Sequence, residues 1–318
     1  MVPQVTVVVL TRRRETRLAF LLDALAAQTL PTEDFEVIVV RDGDDAEQRA
    51  ETPPGLCARV VLAGPRESLG AKRNIGWREA QGSLVAFTDD DCRPSPGWLA
   101  ELLSAWEAGG GGDILLQGPV GADPDEAHLL TGLSRSLSVA GPSPWFQTAN
   151  LALPRALLER LGGFDPGFEL MGEDTDLGLR ALEAGAEPAF AEGALVHHAV
   201  HVANVWTASR AAARARGVAR VFRRHPRARR EIPLGLFWKR SHATALLALA
   251  GIAAAAGGRR SGLLALLPYV LDNYDRGRPA TPRHLAAVAA FLPGRFAVDL
   301  VETAATVRGA VEARTPLA

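Results

Sequence analysis

Along the first half of the chain, apolar residues alternate between unbroken runs and helical spacing. Val5 to Leu10 is a continuous, β-branched stretch, which predicts a strand buried on both faces. Leu18, Leu21, Leu22 and Leu25 follow at helical intervals. Phe35 to Val40 predicts a second buried strand, ending at Arg41-Asp42-Gly43, and Arg59 to Leu62 a third. Ala71 to Ala80 reads as a helix and Leu84 to Thr88 as a fourth strand. Ile114 to Gln117 reads as a short strand and Pro154 to Leu161 as a short helix closed by Gly162-Gly163. Thr175 to Ala184 is a further helix. This rhythm predicts an α/β fold with a mostly parallel sheet and helices on both faces. Ligands of such sheets sit outside the carboxyl ends of the strands, so the polar residues just past those ends are the first candidates for function.

The second half reads differently. Val202 to Arg224 predicts one long basic helix, ended by Pro226. Ser241 to Gly258 has no Asp, Glu, Lys or Arg; Arg259-Arg260 interrupts, and Ser261 to Leu271 is apolar again. A membrane span needs about 20 apolar residues, and the first of these stretches is short of that and rich in Ala and Gly. The expectation is a helical hairpin that packs on the protein or dips into a membrane interface. At the amino terminus the short apolar run precedes Arg12-Arg13-Arg14, the reverse of a secretory leader, and reads as a first strand.

A length of 318 residues accommodates two domains. The expected division is an α/β domain over 1–200 and a basic, Ala-rich helical region over 201–318. At 47% hydrophobic and 22% charged residues, a disordered or collagen-like chain is excluded. Two cysteines, Cys57 and Cys92, are too few for a disulfide framework or a four-cysteine zinc site, and fit a reducing compartment. The net charge of −1 conceals an asymmetry: residues 1–198 hold 16 Lys and Arg against 30 Asp and Glu, residues 199–318 hold 19 against 6. The acidic part suits a metal; the basic part suits phosphates or an anionic membrane. Without an RNA- or DNA-module motif, no nucleic-acid partner is expected.

Asp89-Asp90-Asp91 follows the fourth strand. Three adjacent carboxylates repel one another unless a cation or donors compensate. Side chains alternate in extended backbone, so Asp89 and Asp91 share a side, where both could face one hard divalent ion. The plainer alternative is a solvated acidic turn. Asp42, ending the second strand, is placed to accept from a nucleobase or ribose, or merely forms an Asp-Gly turn. Gly172-Glu173-Asp174 opens a helix; carboxylates there either favour the helix dipole or supply a general base. Lys72 and Arg73 precede Asn74 at a helix start that suits phosphates, or form a solvated face. His197, His198 and His201 are metal or phosphate candidates, each alone as readily structural.

In order, these segments resemble family 2 glycosyltransferases of the GT-A fold. The matching stretches are VTVVVLTRRRETRLAFLLDALAAQ, FEVIVVRDGDD, GAKRNIGWREAQGSLVAFTDDDCRPSPGWL, ANLALPRALLERLGGFDPGF and GEDTDLGLRALEAGAEPAF followed by LVHH, over roughly 4–200. The resemblance implies a Rossmann-like sandwich, a divalent metal (Mn2+ or Mg2+), and a nucleotide-sugar donor (UDP-, GDP- or dTDP-linked). By the same resemblance Thr11 and Asp42 would meet the nucleoside, and Arg73 and Asn74 the donor. Asp89 and Asp91 would be the metal-binding pair, Asp91 the more direct ligand, with His198 or else His197 reaching the metal or diphosphate. Asp90 would cover the donor sugar or ribose. Asn150 and Trp145 would lie near the acceptor, Trp98 would be packing, and Asp174 would be the base with Glu173 beside it.

The implied reaction is transfer of a single sugar to a hydroxyl of a glycan, lipid-linked or small-molecule acceptor, with inversion. It would take place in the cytoplasm, with peripheral contact at the inner face of the membrane. Two stretches depart from the family. Arg41-Asp42-Gly43-Asp44 replaces Asp-Asp-Gly-Ser, and Leu10 and Arg13 stand where Pro and Asn are usual. Both touch the nucleotide side. The QxxRW signature of processive members is absent. The competing readings are a non-catalytic sugar-nucleotide or glycan-binding module, and a sugar-phosphate nucleotidyltransferase. The latter would need a glycine-rich basic loop after the first strand, where Thr11-Arg12-Arg13-Arg14 has no glycine. Residues 206–240, with 11 Lys and Arg and one acidic residue, are either a lipid-facing surface or a solvated face.

Overall fold

The computed structural model describes residues 2–45, 51–64, 66–274 and 281–318. Two units emerge: Met1–His128 with Ser136–Val200, and Leu129–Arg135 with His201–Ala318.

The first unit runs β1 (Val5–Thr11), α1 (Glu15–Ala26), β2 (Phe35–Asp42), β3 (Ala58–Ala63), α2 (Leu69–Arg78), β4 (Leu84–Asp89), β5 (Cys92–Pro94) and α3 (Trp98–Ala108). It continues through β6 (Ile114–Gln117), β7 (Val120–Ala122), β8 (Leu151–Pro154), α4 (Arg155–Leu161), α5 (Glu173–Glu183), β9 (Glu187–Phe190) and β10 (Val196–His198). Among the described residues, seven strands form one sheet in the order β3-β2-β1-β4-β8-β6-β9. β1 is parallel to β2 and β4, β2 to β3, and β6 to β9; β8 runs against both of its neighbours. The expected mostly parallel α/β sheet is therefore present. Strands are added on one side of β1 and then, from β4 onward, on the other. The carboxyl ends of β1 and β4 thus flank a topological switch point, where such sheets bind ligands.

The apolar runs are buried on both faces because successive residues point opposite ways. Val5, Val7 and Val9 pack with Leu18, Leu21, Leu22 and Leu25 of α1 and Trp98 of α3. Val8, Ile38, Val40 and Phe87 pack on the other side with Trp77 of α2, Leu157 and Leu158 of α4, and Leu177 of α5. A Cβ on Gly163 would meet Asn74 Oδ1 at 2.3 Å and Trp77 Nε1 at 2.5 Å, and its φ is +73°, so only glycine fits there. A second, three-stranded sheet, ordered β5-β10-β7, was not foreseen from the sequence. In it β10 runs antiparallel to β5 with His198 opposite Cys92.

The second unit carries α6 (Val205–Ala212), α7 (Val218–Arg224), α8 (Arg240–Ala256), α9 (Leu267–Asp272) and the 32-residue α10 (Pro282–Ala313). The single helix expected over 202–224 is instead two. Asn204 caps α6 by accepting from the Thr207 amide at 2.9 Å, while Thr207 Oγ1 accepts from the Asn204 amide at 3.0 Å, which sets the later start. Ala213–Gly217 then tightens into a 3-10 turn. There α10 comes close: a Cβ on Gly309 would meet the Arg216 carbonyl at 2.1 Å. The apolar stretches after 240 form the expected hairpin, α8 followed by a return through residues 260–272. Among the described residues no helix is long and apolar enough to cross a membrane.

Glu302 on α10 accepts from Lys239 Nζ at 2.6 Å and faces His242 Nε2 at 3.7 Å. Burial pushes its carboxyl up, but His242 and Lys239 outweigh burial and hold it at about 2. A depressed carboxylate stabilises the fold above its unfolded value and ceases to as pH falls through the folded one. Glu302→Gln is expected to lose ~3 kcal/mol near neutral pH. The gap in unfolding free energy between variant and parent should close between about pH 4.5 and pH 2. A gap constant with pH would remove Glu302 from this role.

Candidate active site

Thr11, Asp42 and Asp89 end β1, β2 and β4, and so lie together at the carboxyl edge of the sheet. Thr11 Oγ1 donates to Asp90 Oδ2 at 2.8 Å. Arg14, just beyond β1, spans two carboxylates from one nitrogen: Asp90 Oδ1 at 3.0 Å and Asp91 Oδ2 at 2.7 Å. Burial raises the Asp90 carboxyl to about 6 despite Arg14 and Thr11. Asp90 is buried, with Thr11 on one oxygen and Arg14 on the other.

Asp89 and Asp91 do lie on one side. Ligand atoms of Asp89, Asp91, Cys92 and His198 all fall within 4.8 Å of one another. The β5–β10 pairing is responsible. His198 stands opposite Cys92, and Ala199 donates its amide to the Asp91 carbonyl at 2.9 Å. His198 Nδ1 lies 2.8 Å from the Ala199 carbonyl, which fixes it as the N–H donor and leaves Nε2 as the basic nitrogen, 3.6 Å from Asp91 Oδ1. The two Asp91 oxygens are thereby divided, Oδ2 to Arg14 and Oδ1 to the histidine side. His197 alternates to the opposite face of β10. Burial raises both the Asp89 carboxyl and the Cys92 thiol.

Gly172, at φ +100°, turns the chain into α5, so that Glu173 and Asp174 open that helix two residues earlier than the sequence pattern marked. Arg73 of α2 reaches across to them. Its Nη1 is 2.7 Å from Glu173 Oε1 and its Nη2 3.4 Å from Asp89 Oδ1, with its guanidinium 5.7 Å from the centre of the Phe164 ring. Arg73 is buried and so is no solvated helix face. One buried cation therefore joins the acids of α5 to those after β4. Asp174 is partly exposed. Burial and then the Glu173 charge raise its carboxyl to about 7, against the pull of Arg73. Its Oδ1 accepts from the Thr175 amide at 2.7 Å.

On the nucleotide side, Asp42 is buried between Lys72 Nζ, 2.5 Å from Oδ1, and Arg12 Nε, 3.1 Å from Oδ2. Lys72 too is buried. Arg41, standing where the family usually has Asp, is buried against Glu15 at 2.5 and 3.1 Å. Arg13 sits at φ +53°, a left-handed position that asparagine tolerates better, at a strain of ~1–2 kcal/mol.

Two asparagines are buried and hydrogen-bonded within the protein. Asn74 donates to the Phe164 carbonyl at 2.7 Å and accepts from Trp77 Nε1 and the Phe164 amide, each at 2.8 Å. Asn150 donates to the Pro119 and Ala194 carbonyls at 2.9 and 2.7 Å and accepts from Trp98 Nε1 at 2.9 Å. Trp98 is wholly buried. Trp145 is half-buried, and its carbonyl accepts from Thr175 Oγ1 at 2.8 Å, next to Asp174. Arg14 was not singled out from the sequence; its only signal is the basic run after β1.

Residues 6–139 match the family described as glycosyl transferase family 2, and residues 84–274, more than half of the chain, match glycosyl transferase family group 2. Validoxylamine A glucosyltransferase of Streptomyces hygroscopicus subsp. limoneus is 31% identical over 219 residues, covering 56% of this chain and 48% of that protein. Glycosyltransferase AglE of Haloferax volcanii is 26% identical over 207 residues, covering 62% and 67%. The chain spans about half the length of the first relative. Mannosyltransferase PcManGT from Pyrobaculum calidifontis, solved with GDP-Man and Mn2+, has a TM-score of 0.55 at 21% identity, covering 99% of this chain and 88% of that one. At that identity the likeness is one of fold.

Proposed function

Since this chain belongs to glycosyltransferase family 2 and has the GT-A fold, we propose that it moves a single sugar, with inversion, from a nucleotide-sugar donor to a hydroxyl acceptor. The observation that carries this reading is the Arg73 bridge, which ties Glu173, next to Asp174, to Asp89. Asp174 takes the acceptor proton on Oδ2, since Oδ1 is occupied by the Thr175 amide. The acceptor oxygen then bonds to the anomeric carbon as the bond to the diphosphate oxygen breaks. Trp145, held beside Thr175, flanks the acceptor, and Asn150 shapes that side from within.

Asp89, Asp91 and His198 suit Mn2+ or Mg2+: two carboxylates and an imidazole whose Nε2 lies 3.6 Å from Asp91 Oδ1, while the buried Cys92 thiol stays protonated and is a poor partner for a hard ion. Such an ion, when bound, would neutralise charge growing on the departing diphosphate. On the base side Asp42, with Lys72 and Arg12 on its two oxygens, reads the nucleobase, and Thr11 lies beside it. Arg73 keeps Glu173 and Asp89 from repelling each other and stands near the donor, backed by Asn74. Asp90 holds Arg14 in place. PcManGT was solved with GDP-Man, and we expect a donor of the same class here, a nucleoside diphosphate sugar.

A thermal-shift panel of nucleoside diphosphates and their sugars, with and without Mn2+, tests this. Binding to the folded state stabilises it by mass action, by about 2.7 kcal/mol at a hundredfold excess over Kd, and so raises Tm. A shift that needs Mn2+ and favours one base is expected. No shift with any of them would refute the donor site.

A further inference from the structure

The hairpin of the second unit is packed inside out. In a helix at a water-facing surface, large apolar residues turn inward and polar ones outward. In α8 the inward residues are His242, Ala245, Ala248 and Gly251, and the outward ones include Leu247, Leu249 and Ile252. The return arm buries Tyr269 but likewise leaves large apolar side chains outside, with Leu263, Leu264 and Leu267 exposed, Leu264 to 75%. Small residues hold the arms together: a Cβ on Gly251 would meet the Gly262 carbonyl at 2.4 Å, and one on Gly262 the Gly251 carbonyl at 2.6 Å. Small residues between helices, with leucines outside, are the arrangement of helices surrounded by hydrocarbon.

Charge points to the same surroundings. No acidic residue occurs between Ser241 and Leu271, and the exposed Arg259 and Arg260 stand at the turn between the arms. Asp272, where the return arm ends, is neutralised by Arg240 at 3.0 Å and takes a hydrogen bond from Thr244 at 2.9 Å. The arm lengths rule out a span. We infer that the hairpin 240–272 lies in the interface of an anionic bilayer, its leucines among the acyl chains and Arg259 and Arg260 at the headgroups. This inference does not depend on the catalytic reading, because nothing in it involves residues before 240.

Flotation of the full chain with phosphatidylcholine vesicles, with or without phosphatidylglycerol, tests it. The chain is expected to float with the anionic vesicles and to remain partly bound at high salt, since the leucines are insensitive to screening. Leu263→Ser with Leu264→Ser should lower partitioning about tenfold or more with unchanged Tm, both side chains being exposed. Arg259→Ser with Arg260→Ser should abolish the preference for anionic lipid. Absence of flotation with every vesicle, or equal flotation of the leucine variant, would overturn the inference. So would a concentration-dependent dimer without lipid that the leucine variant loses, since a second copy would then cover the face.

Discussion

Asp174→Asn is expected to lower turnover by about 10²–10⁴-fold while donor affinity stays unchanged, because a general base acts on the acceptor proton and not on the donor. The parent enzyme should lose activity as pH falls through about 7, the value to which burial and Glu173 raise this carboxyl, since the protonated form cannot accept a proton. The residual activity of the variant should lack that inflection. Stability should move the other way. An Asp raised in the folded state destabilises it increasingly from its unfolded value of about 4 up to about 7, because ionisation is easier in the unfolded chain. The neutral Asn removes that penalty and should gain on the order of 2 kcal/mol at pH 8, less than the full shift because Asp174 is partly exposed. Steady-state kinetics from pH 5.5 to 9 and melting curves over the same range read both effects. Unchanged turnover would remove Asp174 from the base role.

Asp91→Asn should be nearly as damaging by another route. It keeps the hydrogen bond that Arg14 makes to this side chain but removes the charge that would hold a divalent ion. A Lewis acid worth several kcal/mol corresponds to a loss of about 10³-fold in kcat/KM. The variant's Tm should no longer respond to Mn2+. His198→Ala should weaken the response less, because both carboxylates remain. A Mn2+ response that survives Asp91→Asn would show that the ion is held elsewhere.

The sheet could be read from the sequence because its strands are buried on both faces and leave unbroken apolar runs. Asp89 and Asp91 could be singled out because adjacent carboxylates at a strand end repel one another unless a cation or donors compensate, and Asp174 because its segment resembles the family there. The elements that complete the site could not be. β5, β7 and β10 are three residues each, too short for periodicity to register, and their pairing brings together residues about a hundred positions apart. For the same reason the pattern alone left Arg73 open between a phosphate-binding and a solvated position: its partner Glu173 lies a hundred residues further on. Asn74 and Asn150 show the opposite limit. A motif marks that an asparagine is required, but not whether it faces a ligand or ties two loops together. At the break over 213–217 α10 comes close, a contact between segments that no local pattern carries.

The alignment of β10 on β5 makes the site more sensitive to chain length than to side-chain identity. Side chains alternate along a strand, so sliding β10 by one residue would turn His197 toward Asp91 and His198 away. Removing a single residue from the connection 191–194 would leave every motif letter intact in the sequence, while His197 rather than His198 faced Asp91. A deletion there would exchange the imidazole offered to Asp91 without altering a single candidate site residue.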